Sequence, residues 1–228
     1  MNPIEPSENK IKELISLFDK KKFDQLLKLS NELIDEFPNS ILIQNIQGVV
    51  HTELKNYKLA KNLFIKVVNL SPNYTDGHYN LANVYNKLDE KEKAIESYNK
   101  VIELDINYFK AHNNLGNIYR KKGLNKRAIE YYLSTLEINS NYKVAYYNLA
   151  GVLQFYILDE ENKNINKYLL HLLKEKIIVR PNSIAPNILN GLFLNTDLKN
   201  NLSLIKDKIT NKDFNNVLEN LQKNSLLI

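Results

Sequence analysis

The chain has 228 residues, a net charge of +5 and no cysteine, which excludes disulfide frameworks, thiolate metal sites and cysteine nucleophiles. Its 31 basic and 26 acidic residues are interspersed, which is typical of solvated helix surfaces rather than of one nucleic-acid-binding face. The start of the chain lacks a secretory signal pattern and no segment is long and apolar enough to span a bilayer, so we predict a cytoplasmic protein.

Residues 7–40 contain the first predicted pair of helices. Pro38 precedes Pro72 by 34 residues, but Leu14 and Leu26 stand where the following units have small residues. We interpret residues 7–40 as a degenerate first repeat that caps the array.

Residues 41–142 repeat one pattern three times at an interval of 34 residues. The recurring residues include Asn73, Asn107 and Asn141; Leu81, Leu115 and Leu149; Ala60, Ala94 and Ala128; and Phe64, Tyr98 and Tyr132. Apolar residues at helical spacing on both sides of a short turn predict a helix–turn–helix pair in each unit. Gly123 suits a left-handed helix end. Gly116 is unfavourable inside a helix, so we expect a neighbouring helix to pass close to it.

This length and this pattern of large and small residues resemble the tetratricopeptide repeat. The resemblance covers residues 41–74, 75–108 and 109–142, and rests on "NLANVY", "KAIESY", "NLGNIY" and "RAIEYY". Gln47 and His51 depart from the usual Leu and aromatic residue, and Ile106 and Ser140 replace the usual closing Pro. The resemblance implies an all-α fold, a right-handed α-solenoid of helix–turn–helix repeats whose first helices line a concave side.

The pattern weakens after residue 142. Residues 143–183 are predicted to form a last repeat with an insertion at "DEENKN", which ends an array spanning residues 7–183. Residues 184–228 are predicted to be an irregular helical C-terminal segment. Its apolar end, "SLLI", leaves two alternatives open: these residues pack back onto the array, or the native chain continues.

No catalytic constellation is found in the sequence. It contains no phosphate-binding glycine loop and no nucleophile elbow. His78 and His112 lie one repeat apart, and we interpret them as structural residues because a zinc site needs more ligands at closer spacing. We therefore expect no metal, no cofactor and no enzymatic activity. No aromatic residue is interleaved in the basic turn from Arg120 to Arg127, so we interpret it as a solvated turn and nucleic acid is not the predicted partner.

Two rows of asparagine lie on the predicted first helices. A carboxamide donates and accepts hydrogen bonds, so it can pair with a peptide bond of any sequence. The rows resemble the asparagine ladder in the repeat array of O-linked N-acetylglucosamine transferases, which implies a peptide-binding concave face. Ile46 and Gly151 interrupt the rows, and the chain's general abundance of asparagine is a competing explanation. The predicted face consists of Tyr79, Asn80, Asn83, Lys87, Asn113, Asn114, Asn117, Arg120, Lys121, Tyr147 and Asn148.

Together these features predict a protein-interaction module that binds a peptide or a partner protein. The basic edge of the face favours an acidic partner. The alternative is that the chain is the non-catalytic amino-terminal part of a larger glycosyl-, methyl- or sulfotransferase, by analogy with similar arrays. Self-association is left open.

Overall fold

The computed structural model describes residues 5–153 and Tyr168, and all of the regular elements within this part of the chain are α-helices. They are α1 (Glu8–Asp19), α2 (Phe23–Glu36), α3 (Ile41–Glu53), α4 (Tyr57–Leu70), α5 (Thr75–Lys87), α6 (Lys91–Leu104), α7 (Phe109–Lys121), α8 (Asn125–Ile138) and α9 (Lys143–Leu153). The predicted all-α helical repeat fold is thus confirmed. The insertion at "DEENKN" and residues 184–228 lie outside the described residues.

The chain divides into two compact units, Met1–Ala111 and His112–Ile228. In the first unit, Leu14, Leu26 and Ile43 belong to one core cluster, and Phe64 and Val84 belong to another. The second unit fully buries Leu115, Ile118, Tyr132, Leu136 and Leu149. These residues recur at helical spacing, so each helix turns one apolar stripe toward its neighbours.

The turn inside each helix pair has one backbone geometry that recurs every 34 residues. Lys21, Lys55, Asp89 and Gly123 have positive φ angles of 54°, 61°, 61° and 75°. After each of them the next residue donates a backbone hydrogen bond five residues back, as from Asn56 N to His51 O at 2.8 Å and from Leu124 N to Tyr119 O at 2.9 Å. This is the Schellman arrangement that ends helices. The left-handed Gly123 was predicted; the same turn in the pair formed by α1 and α2 was not.

Small residues of the first helices lie directly beneath aromatic rings of the second helices. A Cβ added at Gly48 would lie 2.6 Å from Phe64 Cε1, and one added at Gly116 would lie 2.5 Å from Tyr132 Cε1. Neither distance is tolerated between real carbon atoms. The expectation that a neighbouring helix passes close to Gly116 is therefore confirmed.

Gln47, which departs from the usual Leu, is buried and satisfied by α2. Its Nε2 donates to Ser30 Oγ at 3.1 Å and to Asn31 Oδ1 at 2.8 Å. Because a buried amide without partners is costly, the polar residues of the degenerate pair make this substitution tolerable.

Candidate peptide-binding face

Hydrogen bonds between successive first helices hold the first predicted row of asparagines. In the first unit, Asn80 Nδ2 on α5 donates to Asn45 Oδ1 on α3 at 3.0 Å. In the second unit, Asn148 Nδ2 on α9 donates to Asn113 Oδ1 on α7 at 2.9 Å. Each pair is separated by 35 residues, one more than the repeat, because the bond joins adjacent rather than equivalent positions.

Asn45 is a residue that sequence reasoning missed. The 34-residue register places Ile46 one repeat before Asn80 and therefore predicts no partner there. The available signal was an asparagine 35 residues before Asn80, matched by Asn113 before Asn148. A carboxamide carries two N–H donors and an acceptor oxygen. The bonds to Asn45 and Asn113 use one N–H of each donor side chain, and both donor side chains are half-buried.

Asn113 is more enclosed than its place in the predicted face suggested. Its side chain is 3% exposed, and its Nδ2 donates to Asn114 Oδ1 at 3.4 Å while its oxygen accepts from Asn148. Asn113 thus links α7 to α9, and Asn114 remains half-buried beside it.

The second predicted row of asparagines accepts hydrogen bonds from buried tyrosines. Tyr98 Oη on α6 donates to Asn83 Oδ1 on α5 at 2.5 Å. Tyr132 Oη on α8 donates to Asn117 Oδ1 on α7 at 2.9 Å. A buried hydroxyl group needs an acceptor, so Asn83 and Asn117 each serve the packing of one helix pair.

The two tyrosines of the predicted face have opposite surroundings. In the first unit, the Tyr79 ring lies 4.9 Å from the Tyr108 ring and 5.9 Å from the Tyr98 ring, centroid to centroid. Burial, together with the hydrogen bond that Tyr108 donates to Asp76 Oδ1 at 2.8 Å, raises the pKa of Tyr108 well above its usual value. In the second unit, Tyr147 on α9 is 57% exposed.

The three basic residues of the predicted face lie in the last turns of two first helices. Lys87 is in the last turn of α5, and Arg120 and Lys121 are in the last turn of α7. All three are exposed, and none takes part in an ion pair between described residues. A Cβ added at Gly151 would lie 3.3 Å from Arg120 Nη1. Arg120 therefore extends over the gap in the second asparagine row.

Two tyrosines flank the basic turn between α7 and α8, one on each helix. The rings of Tyr119 and Tyr131 stack at 5.3 Å with an interplanar angle of 5°. The Arg127 guanidinium lies 5.5 Å from the Tyr119 ring. With Glu130, these residues line a cleft of about 470 Å³. The basic run alone does not indicate this cluster, because Tyr131 comes four residues after Arg127, one helical turn beyond the run.

The histidines lie in structural surroundings. His78 Nε2 is 2.9 Å from the Pro72 carbonyl oxygen, and the buried His112 ring lies 6.1 Å from the Tyr131 ring. Among the described residues, no group of three histidine or carboxylate side chains could hold a metal ion.

The family profile of the tetratricopeptide repeat matches residues 43–74, 75–108 and 109–142. The chain carries tetratricopeptide repeats. The resemblance to the tetratricopeptide repeat that the sequence indicated is thereby confirmed for residues 43–142.

Solved structures of other tetratricopeptide repeat proteins resemble this chain. A MamA structure matches with 23% identity and a TM-score of 0.61, covering 76% of this chain and 97% of MamA. MamA from Desulfovibrio magneticus RS-1 matches with 25% identity and a TM-score of 0.55, covering 59% and 76%. YrrB, described as a TPR protein with an unusual peptide-binding site, matches with 19% identity and a TM-score of 0.56, covering 72% and 83%.

These matches support a protein–protein interaction module built from tetratricopeptide repeats, and they do not favour the transferase alternative. None of the curated protein sequences compared with the chain matches it. None of the helices within residues 5–153 is long and apolar enough to cross a membrane.

Proposed function

We propose that the tetratricopeptide repeats hold an extended segment of a partner protein against the first helices of the repeats, without catalysing a reaction. The observation that carries this proposal is the set of oriented carboxamides on those helices. Asn80 and Asn148 are each aimed by a hydrogen bond to the preceding first helix, at 3.0 and 2.9 Å. A side chain held in this way loses little rotamer freedom when a ligand binds.

The chemistry of these carboxamides suits a peptide backbone. After its bond to the neighbouring helix, each amide has a second N–H donor and a carbonyl oxygen. A peptide bond offers the complementary acceptor and donor, so an extended segment can be held whatever its side chains. Each unit has such an amide pair of its own.

The charge of the face favours an acidic partner. Lys87, Arg120 and Lys121 are exposed at the ends of α5 and α7 and can steer an acidic segment toward the first helices. Nucleic acid is not the proposed partner, and a low-salt titration with a single-stranded oligonucleotide checks that choice. We place the module in the cytoplasm, because a chain without cysteine needs no oxidising compartment.

The test is selection of binders from a displayed library of random peptides, followed by titration of the selected peptides. The variant Asn80→Ala with Asn148→Ala should weaken binding by about tenfold, the loss of one or two hydrogen bonds. Tyr98→Phe is the control, since it removes a hydrogen bond between α5 and α6 but keeps the first asparagine row. Tyr98→Phe should lower the free energy of unfolding about as much as the double alanine variant does. It should leave the affinity for the selected peptides within about twofold of the native value.

Two results would contradict the proposal. One is a library that yields no binder for the native chain. The other is a set of binders whose affinity is the same for the native chain and the double alanine variant. Sedimentation of the native chain in the same buffer tests whether it self-associates, which would compete with peptide binding.

A further inference from the structure

The exposed side of α9 carries different residues from the equivalent sides of the earlier first helices. Val144 and Tyr147 are three residues apart, and Gly151 follows four residues later, so all three lie on one face of the helix. Val144 is 47% exposed and Tyr147 is 57% exposed. Gly151 has no side chain, and a Cβ added there would lie 3.3 Å from Arg120 Nη1.

The equivalent positions of the earlier repeats are already occupied by contacts within the protein. One repeat earlier, Asn113 is buried and bonded to Asn148, and Asn117 accepts the Tyr132 hydroxyl. The α9 face thus combines an exposed aromatic ring with a residue that has no side chain. A side chain whose hydrogen bonds are already made within the protein contributes less free energy to ligand binding than an exposed apolar side chain that the ligand buries.

Two repeats earlier, the same positions are occupied in a similar way. Tyr79 packs against the rings of Tyr98 and Tyr108, and Asn83 accepts the Tyr98 hydroxyl. The interruption at Gly151, which the sequence prediction treated as a gap in the row, is therefore the one of these three positions that has no side chain to make such contacts.

Arg120 places a positive charge beside this face. Arg120 is exposed and takes part in no ion pair between described residues. A guanidinium group binds a carboxylate through two parallel hydrogen bonds.

We propose that Arg120 and the α9 face bind a partner segment in which an Asp or Glu lies next to an aliphatic or aromatic side chain. The carboxylate pairs with Arg120, the apolar side chain packs on Val144 and Tyr147, and the partner backbone approaches Gly151, where no Cβ obstructs it. This inference rests on the proposed function and names the chemistry of its partner.

The test uses three variants and the selected library peptides. Tyr147→Asn and Gly151→Asn introduce the residues that the preceding repeat has at the same positions, Asn113 and Asn117, so both are compatible with the helix. Arg120→Gln removes the charge and keeps a similar length. Lys66→Gln, which removes an exposed charge from α4, is the control. Circular dichroism and urea unfolding of every variant report whether it folds.

We expect the peptides selected by the native chain to be enriched in a carboxylate next to an apolar residue. Each of the three variants should weaken their binding by about tenfold or more, and Lys66→Gln by less than about twofold. Added salt should weaken binding to the native chain but have much less effect on Arg120→Gln, because the screened charge is then absent.

The possible failures separate this inference from the proposed function. Peptides that bind the native chain but are insensitive to all three variants would overturn the inference and leave peptide binding intact. Selected peptides without acidic residues, or binding unaffected by salt, would also overturn it. A native dimer that dissociates on Tyr147→Asn would assign the face to a second copy of the chain instead. A library with no binder at all contradicts both proposals.

Discussion

The hydroxyl group of Tyr132 on α8 donates a hydrogen bond to Asn117 Oδ1 on α7 at 2.9 Å, and this bond joins the two helices of one repeat. The same bond joins Tyr98 to Asn83 one repeat earlier. Asn83 and Asn117 are thus explained by the tyrosines that they satisfy, independently of any ligand.

The first of the three repeats replaces both partners by apolar residues. Phe64 stands at the tyrosine position and Val49 at the asparagine position, and Val49 packs against the cluster that contains Phe64. The two positions change together because a buried hydroxyl needs an acceptor and a buried acceptor needs a donor.

We predict that the pair Tyr132 and Asn117 is energetically coupled. Asn117→Val should lower the free energy of unfolding by about 1–3 kcal/mol, because it leaves a buried hydroxyl unsatisfied. Tyr132→Phe should cost about 1 kcal/mol. The double variant, which restores the apolar pair of the first repeat, should be less destabilised than the sum of the two. Urea unfolding of all four proteins measures the coupling, and strict additivity would contradict it.

A second prediction concerns the glycines inside helices. Gly116→Ala should lower the free energy of unfolding by about 1–3 kcal/mol through overpacking, because the new Cβ would meet the Tyr132 ring at 2.5 Å. Gly151→Ala is the matched control, since among the described residues its Cβ would meet the flexible end of Arg120 rather than an aromatic ring. It should stabilise the protein by up to about 1 kcal/mol through helix propensity. Equal effects of the two substitutions on the urea midpoint would contradict this account.

A third prediction concerns the left-handed turn residues. Lys55 has a φ of 61°, which costs a residue with a Cβ about 1–2 kcal/mol. Lys55→Gly removes this strain but increases the entropy of the unfolded chain, so we expect a net stabilisation of about 0.5–1 kcal/mol. The reverse change, Gly123→Ala at a φ of 75°, should destabilise although nothing lies within 4 Å of its Cβ. The melting temperatures of both variants show whether stability at these turns depends on backbone strain or on side-chain contacts.

A fourth prediction concerns alkaline pH. Burial raises the pKa of Tyr132 to about 12, whereas an unfolded chain has a tyrosine pKa of about 10. The neutral form is favoured by folding, so its stabilisation is complete below pH 10 and is lost as the pH rises from about 10 to 12. Tyr132→Phe should therefore lose less stability than the native chain over this range. Urea unfolding at several pH values measures the free energy of unfolding of both proteins. An equal decrease in both as the pH rises would show that the Tyr132 hydroxyl does not contribute to the loss of stability at alkaline pH.

The local pattern of the sequence was sufficient to predict the helix pairs. The 34-residue period, the small residues and Gly123 are properties of short stretches, and each indicates a backbone geometry by itself. Gly116 predicted the close approach of a second helix, because a glycine is kept inside a helix when a neighbour leaves no room for a Cβ.

The sequence was less informative about turns that lack glycine. Lys21, Lys55 and Asp89 adopt the left-handed conformation that their residue types disfavour, because the packed helices on both sides impose the hydrogen bonds of the turn. Local propensity cannot report a conformation that tertiary packing imposes.

By itself, the sequence determined the all-α helical repeat fold and the 34-residue period that places asparagines at equivalent positions. Only the tertiary structure decided what those asparagines do. It paired Asn80 with Asn45 across a spacing of 35 residues, and it brought Arg120 next to Gly151. The physical reason is that a repeat period aligns equivalent positions, while hydrogen bonds and packing join adjacent ones on neighbouring helices.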